Sequence, residues 1–219
     1  MAAPQAFIFD LDGVLTDTAE YHFRAWKRLA DEEGISFTRA DNEKLRGVSR
    51  RQSLLLLLKG HPLTEVQMET WMTRKNDYYR TFLSDITPSD LLPGVSVFLA
   101  EARNQGIKLG VGSASKNAHD VLVGLGIIDL FAAIGDGFSV SNPKPAPDLF
   151  VWVAGRLGVP TPEAVVFEDA EAGIDAALAA GMYAVGIGPT NRVGKAHFVL
   201  PNLDGAKFNA VLEGLKLSK

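Results

Sequence analysis

The sequence predicts an α/β protein: a parallel-sheet core interrupted after its first strand by an all-helical insertion. Three observations carry this reading. The apolar run Phe7-Ile8-Phe9 has strand length and ends at once in Asp10-Leu11-Asp12-Gly13. Beyond about residue 90, short apolar runs alternate with helical patterns of roughly ten residues, the mark of βαβ units and a parallel sheet. Between about 17 and 86 the patterns are helical and no convincing strand occurs.

Each element follows in chain order. Thr18 to Glu33 reads as a helix, because Tyr21, Phe23, Trp26, Leu29 and Ala30 recur at near-helical spacing and Gly34 supplies a stop. Residues 40–47 read as a short helix, and Arg50 to Lys59 as another through the run Leu54 to Leu58. Thr64 is a suitable N-cap for a long helix carrying Met68, Trp71, Met72, Tyr79 and Phe82. The texture changes at Pro88 and Pro93-Gly94. Helix 95–105, strand 107–112, helix 116–125 and a strand near 132–135 come next. Helix 147–157, strand 164–168, helix 171–180, strand 183–187 and helix 206–216 complete the chain. The architecture is a Rossmann-like core of residues 1–15 and 90–219 with a helical cap at 16–89. Two chain crossings, near 15–17 and 84–92, are placed as a hinge would be.

Composition narrows the function. The 219 residues are 47% hydrophobic and 22% charged, enough apolar matter for a true core. A net charge of −4 without a Lys/Arg run argues against general nucleic-acid binding. Cysteine is absent, which excludes disulfides and thiolate metal sites and points to the reducing cytoplasm. Met1 to Gln5 has no basic region, and no apolar run approaches the ~18 residues of a membrane span. A soluble monomer acting on a small molecule is the expectation.

Four expected strand ends carry polar residues suited to one reaction: Asp10 and Asp12; Ser113 to Asn117; Lys144 between Pro143 and Pro145; and Glu168-Asp169. Singly, each has a plain structural explanation as a turn, a helix cap or a solvated loop lysine. Together, at the carboxyl edge of one parallel sheet, they mark a ligand site. Like charges ~4 Å apart repel by about 4 kcal/mol at an effective dielectric near 20, so gathered carboxylates require a cation. Oxygen ligands without Cys or His suit a hard ion, and Mg²⁺ is the usual one beside phosphate. Asp10 then reads as a nucleophile for phosphoryl groups and Asp12 as the group that handles the proton. Ser113 suits a phosphate oxygen, and Lys144 supplies positive charge to the group in transfer.

These residues resemble the four motifs of the haloacid dehalogenase (HAD) superfamily of phosphotransferases. The segment Thr16-Asp17-Thr18-Ala19-Glu20-Tyr21-His22-Phe23-Arg24-Ala25-Trp26-Lys27 further resembles the sugar-phosphate mutases of that superfamily. So do Gly47-Val48-Ser49-Arg50 with Ser53, Arg74-Lys75-Asn76-Asp77, and Ser113-Ala114-Ser115-Lys116-Asn117. The resemblance implies interconversion of β-D-glucose 1-phosphate and glucose 6-phosphate, with glucose 1,6-bisphosphate as intermediate and activator. It implies one Mg²⁺ held by Asp10, Glu168, Asp169 and the backbone carbonyl of Asp12. Arg50 would grip the distal phosphate, with Gly47, Val48, Ser49, Ala114, Ser115 and Asn117 nearby. Trp26, Ser53, Lys75 and Asn76 would face the sugar, and Thr18 and His22 would sit by Asp12. Two positions depart from the pattern: Arg46 stands where lysine is common, and Ala170 where serine is usual.

Two other readings stay open on the sequence. A phosphatase would use the same Asp10 and Asp12 with water as acceptor, and only the cap residues speak against it. A non-catalytic phosphate-binding protein would be expected to lack at least one of Asp10, Asp12, Lys144 or Asp169, and all four are present.

Overall fold

Alternate side chains of the first strand enter different cores, which is why its apolar run is unbroken. Strand β1 (Ala6–Phe9) sends Phe7 and Phe9 to one side of the sheet and Ala6 and Ile8 to the other. A strand buried on both faces reads as continuous hydrophobic sequence rather than as an alternation. The computed structural model describes residues 4–217. The outermost residues of the expected core, 1–3 and 218–219, lie outside the described residues.

Between β1 and the rest of the sheet come four helices, α1 (Ala19–Glu32), α2 (Arg39–Glu43), α3 (Arg50–Leu58) and α4 (Glu65–Leu83). Local signals set their ends. Thr64 accepts from the Gln67 N–H while the Gln67 side chain accepts from Thr64 N–H, a reciprocal cap on α4. Ser49 caps α3 through Gln52 N–H, and Lys59 ends it in the left-handed region at φ 51°. These helices share their own apolar cluster, built on Trp26, Leu29, Leu54, Leu57, Met68 and Met72.

The chain then runs α5 (Val95–Asn104), β2 (Lys108–Gly112), α6 (Ala118–Gly124), β3 (Ala133–Gly135), α7 (Asp148–Leu157) and β4 (Ala164–Glu168). It ends with α8 (Glu171–Ala179), β5 (Tyr183–Ile187), α9 (Thr190–Val193), β6 (Phe198–Leu200) and α10 (Phe208–Gly214). The six strands are parallel, in the order β3-β2-β1-β4-β5-β6, as the βα alternation predicts. On one face α5, α6 and α10 pack with Phe7, Phe9 and Phe167; on the other, α7 and α8 pack with Ile8 and Val166. Phe9 and Phe167 stack at 4.7 Å, fixing β1 against β4.

Strand order reverses between β1 and β4. In such sheets ligands bind at the carboxyl edge where the order reverses, because the loops diverge there and open a crevice. Asp10 follows β1 and Glu168 ends β4, so sheet topology alone brings the two acids together.

The two chain crossings are tied to each other. Thr16 bridges Leu91 in antiparallel fashion, Leu92 N–H donates to Leu15 O at 2.9 Å, and the Thr16 hydroxyl donates to Asp90 O at 2.7 Å. Some bounds differ from expectation. The helix expected at 40–47 spans Arg39–Glu43, because the chain must turn through Gly47, whose φ is 70°. The terminal helix is shorter than 206–216. Strand β6 and helix α9 were not expected, since three half-buried residues and four residues are too short to show a period. No helix among the described residues is long and apolar enough to cross a membrane.

Candidate active site

The floor of the site is a buried ion cluster. Lys144 Nζ lies 2.6 Å from Asp10 Oδ1 and 2.8 Å from Glu168 Oε2, with all three side chains buried. Burial alone would lower the Lys144 pKa, but the charges of Asp10 and Glu168 outweigh it and hold the ammonium above its usual value. Glu168 is pushed up, chiefly by burial and then by the Asp10 charge, against the pull of Lys144. Its Oε1 accepts the N–H groups of Asp169 and Ala170 at 3.1 and 3.0 Å. Gly173, in the first turn of α8, leaves the room this carboxylate occupies, since a Cβ there would stand 1.9 Å from Oε2.

Asp169 completes an acidic group. Single oxygens of Asp10, Glu168 and Asp169 lie within 4.8 Å of one another, all buried. Burial and the Asp10 charge raise the Asp169 pKa although Arg46 and Arg192 oppose this. Burial is the larger cause of both shifts and mutual repulsion with Asp10 the second, so the three carboxylates are costly to hold together. This oxygen-only donor set fits a hard divalent ion such as Mg²⁺.

The Asp12 carboxylate stands beside this cluster and is not one of the three grouped carboxylates. It accepts the Thr18 hydroxyl. Burial first, and the Asp10 charge second, push its pKa up to about 7, so both protonation states are accessible at neutral pH.

Opposite the floor, α1, α3 and α4 supply the other wall. Trp26, Ser53, Lys75 and His22 line the cleft with Gly47, Val48 and Arg50, and Ser113, Ala114 and Ser115 face them from the sheet side. Lys75 is 2% exposed, shares a hydrogen bond with His22 Nδ1 at 2.8 Å, and sits over the Trp26 and Tyr79 rings at 4.9 and 4.8 Å. Burial, then the Arg50 charge, hold Lys75 well below the usual lysine range; burial, then Lys75, do the same to His22. Gly47 lets the wall touch the core, since a Cβ on it would lie 2.7 Å from Ala170 Cβ.

Some expected residues act from behind the cleft. Ser49 does so by capping α3; Ser113 and Ser115, which do line the cleft, also order their own loop, their hydroxyls accepting Ser115 N–H and Asn117 N–H at 3.1 and 3.2 Å. Asn76 does not line the cleft: it bonds Arg50 and Asn117 instead. The sequence assigns no role to several lining residues: Asn42 and Leu45, Arg46, which stands out only as a departure from the pattern, and Lys116, which enters only as part of the Ser113–Asn117 segment. Arg46 Nη1 reaches Asp169 Oδ2 at 3.2 Å, joining the helical wall to the acidic group. Arg192 Nε donates to Asp169 O at 2.6 Å, from a helix the sequence did not reveal. For Arg46 a signal existed, a cation just before the Gly47-Val48-Ser49 turn.

With this geometry in place, the relatives are informative. The chain is 47% identical over 188 residues to a β-phosphoglucomutase of Bacillus subtilis, covering 84% of this chain and 83% of that protein. A crystal structure of β-phosphoglucomutase from Clostridium difficile matches with a TM-score of 0.94 at 40% identity, over 97% of both chains. A phosphorylated-carbohydrates phosphatase of Thermotoga maritima is 31% identical over 180 residues, covering 81% of this chain and 82% of that one. The model of the haloacid dehalogenase-like hydrolase family matches residues 4–181, a span that holds Asp10, Asp12, Lys144, Glu168 and Asp169. The chain therefore belongs to the haloacid dehalogenase-like hydrolase family.

Proposed function

We propose that the protein is a β-phosphoglucomutase, interconverting β-D-glucose 1-phosphate and glucose 6-phosphate through glucose 1,6-bisphosphate. The observation that carries this is the pairing of two anion-receiving ends in one cleft: the Asp10–Lys144 floor and, opposite, the half-buried Arg50. A phosphatase needs only the first. A mutase must hold the phosphate that is not being transferred, and a guanidinium suits that task through its fork of donors.

In this reading an Asp10 carboxylate oxygen attacks phosphorus. The Asp10 O–P bond forms as the P–O bond to the leaving group breaks, and Asp12 gives its proton to the leaving oxygen. In the return step Asp12 takes the proton from a sugar hydroxyl, whose oxygen attacks the phosphoryl group and frees Asp10. A carboxyl group whose pKa is about 7 suits both directions. Lys144 holds Asp10 in place and balances charge on the transferring group. Ser113, at 1% exposure beside β2, offers a hydroxyl to a phosphoryl oxygen. Asp10, Glu168 and Asp169 would hold one Mg²⁺, with the Asp12 backbone carbonyl as a fourth ligand; the ion would offset the charge of the carboxylates and the phosphoryl oxygens together. Trp26, Ser53 and Lys75 would meet the sugar, and Thr18 and His22 would order Asp12. The helical segment 16–89 acts as a cap that excludes water while the bisphosphate turns around. We place the protein in the cytoplasm, as a monomer.

The test supplies β-glucose 1-phosphate with a trace of the 1,6-bisphosphate and Mg²⁺. Glucose 6-phosphate is expected to appear in step with substrate loss, and trapping should locate the phosphoryl adduct on Asp10. Release of free phosphate without glucose 6-phosphate would make the protein a phosphatase and overturn the reading.

A further inference from the structure

The side-chain oxygen of Asn76 is bonded where a ligand oxygen would be expected. Asn76 Oδ1 accepts from Arg50 Nη2 at 2.8 Å and from Asn117 Nδ2 at 3.0 Å. The three residues come from different elements: Arg50 opens α3, Asn76 lies on α4, and Asn117 immediately precedes α6 on the sheet side. One amide oxygen thus joins both walls of the cleft without lining it.

The choice of an amide matters. Arg50 is in no ion pair among the described residues, and Asn76 takes only one of its N–H donors. A guanidinium has five such donors. A carboxylate at 76 would hold Arg50 just as well but would neutralise it. The amide fixes the orientation and leaves both the charge and the remaining donors free for an anion. It also fixes the separation of Arg50 and Asn117, which otherwise belong to elements with no bonded connection between these two side chains.

We infer that Asn76 is a positioning residue, a bracket that ties Arg50 through Asn117 to the sheet-side wall so that Arg50 can receive the non-transferring phosphate, and not a sugar contact. The inference rests on the proposal that Arg50 receives that phosphate.

The test is a double-mutant cycle on Asn76→Ala and Arg50→Met, read as KM and kcat for the mutase and as the calorimetric Kd of glucose 6-phosphate. Loss of a hydrogen bond to a charged group corresponds to roughly tenfold in affinity. Asn76→Ala is therefore expected to raise KM and Kd about tenfold with kcat within about twofold. In the Arg50→Met background the same substitution should add no more than about twofold. Asn76→Asp, which keeps the acceptor but adds charge, should weaken binding beyond Asn76→Ala. Unchanged Kd in Asn76→Ala overturns the bracket, as does a full penalty retained without Arg50, which would mark a direct sugar contact. Should the wild type only hydrolyse its substrates, the functional proposal falls while the binding cycle still decides the role of Asn76.

Discussion

Lys75 is the most exacting residue in the cleft, because a buried amine among cations is held against its own charge. It faces His22 on α1, Arg50 on α3, Asp12 across the cleft and Tyr79 on its own helix. Burial and Arg50 depress its pKa in the folded protein, while the unfolded chain titrates near 10.4. Between those values the unfolded state binds a proton that the native state does not, so stability rises with pH across the window. Lys144 and Tyr79 are both raised and act above about pH 10, outside it. Glu168, its pKa raised to about 8, acts the opposite way and mostly below that pH, and does so equally in wild type and variant. Thermal midpoints measured at pH 8, 9 and 10 should climb for the wild type and flatten in Lys75→Met. An equal climb in both would show that Lys75 is charged in the fold. At this scale the sequence was legible where a residue type announces chemistry. Asp10, Asp12 and Glu168-Asp169 sit at strand ends that hydrophobic patterning could place, and Lys144 stands out between two prolines in the loop before α7. Arg192 was not legible, because its contact with Asp169 depends on a four-residue helix whose position only the folded chain defines.

At the scale of elements, α8 does more than pack on the sheet. Its first turn must pass so close to Glu168 that only a hydrogen fits at residue 173. Gly173→Ala would force the Glu168 carboxylate aside and with it a ligand of the proposed Mg²⁺ site. We expect Mg²⁺ affinity, measured by calorimetry, to fall ten- to hundredfold, the usual scale for misplacing a ligand's support. Unchanged affinity would mean that Glu168 does not hold the ion. Element type was readable along most of the chain because apolar spacing, Thr64 and Gly34 speak locally. Element ends were less so. The helix expected at 40–47 stops at Glu43 because the following turn serves the cleft, a tertiary requirement with no local period.

For the whole molecule, the paired crossings at Thr16 and Leu91 make a sharp prediction about the proposed division into core and cap. Because Leu92 N–H already bonds Leu15 O, a two-residue Asn-Gly turn could replace residues 17–90 and close a hairpin. The shortened chain should fold with its sheet intact and hydrolyse acetyl phosphate slowly, while mutase activity disappears with Arg50 and Lys75. Loss of cooperative unfolding in that chain would show that helices α1–α4 belong to the same folding unit as the sheet. The central place of β1 has a consequence for synthesis. The first strand made is the one that needs two neighbours, and Ile8 waits for Gly110 on one side and Val166 on the other. A nascent chain still short of residue 168 presents unpaired edges and adjacent phenylalanines, the kind of surface that chaperones or aggregates seize. Its acid at position 10 also lacks its ammonium neighbour until Lys144 has emerged, so the early nascent chain cannot assemble the Asp10–Lys144 pair.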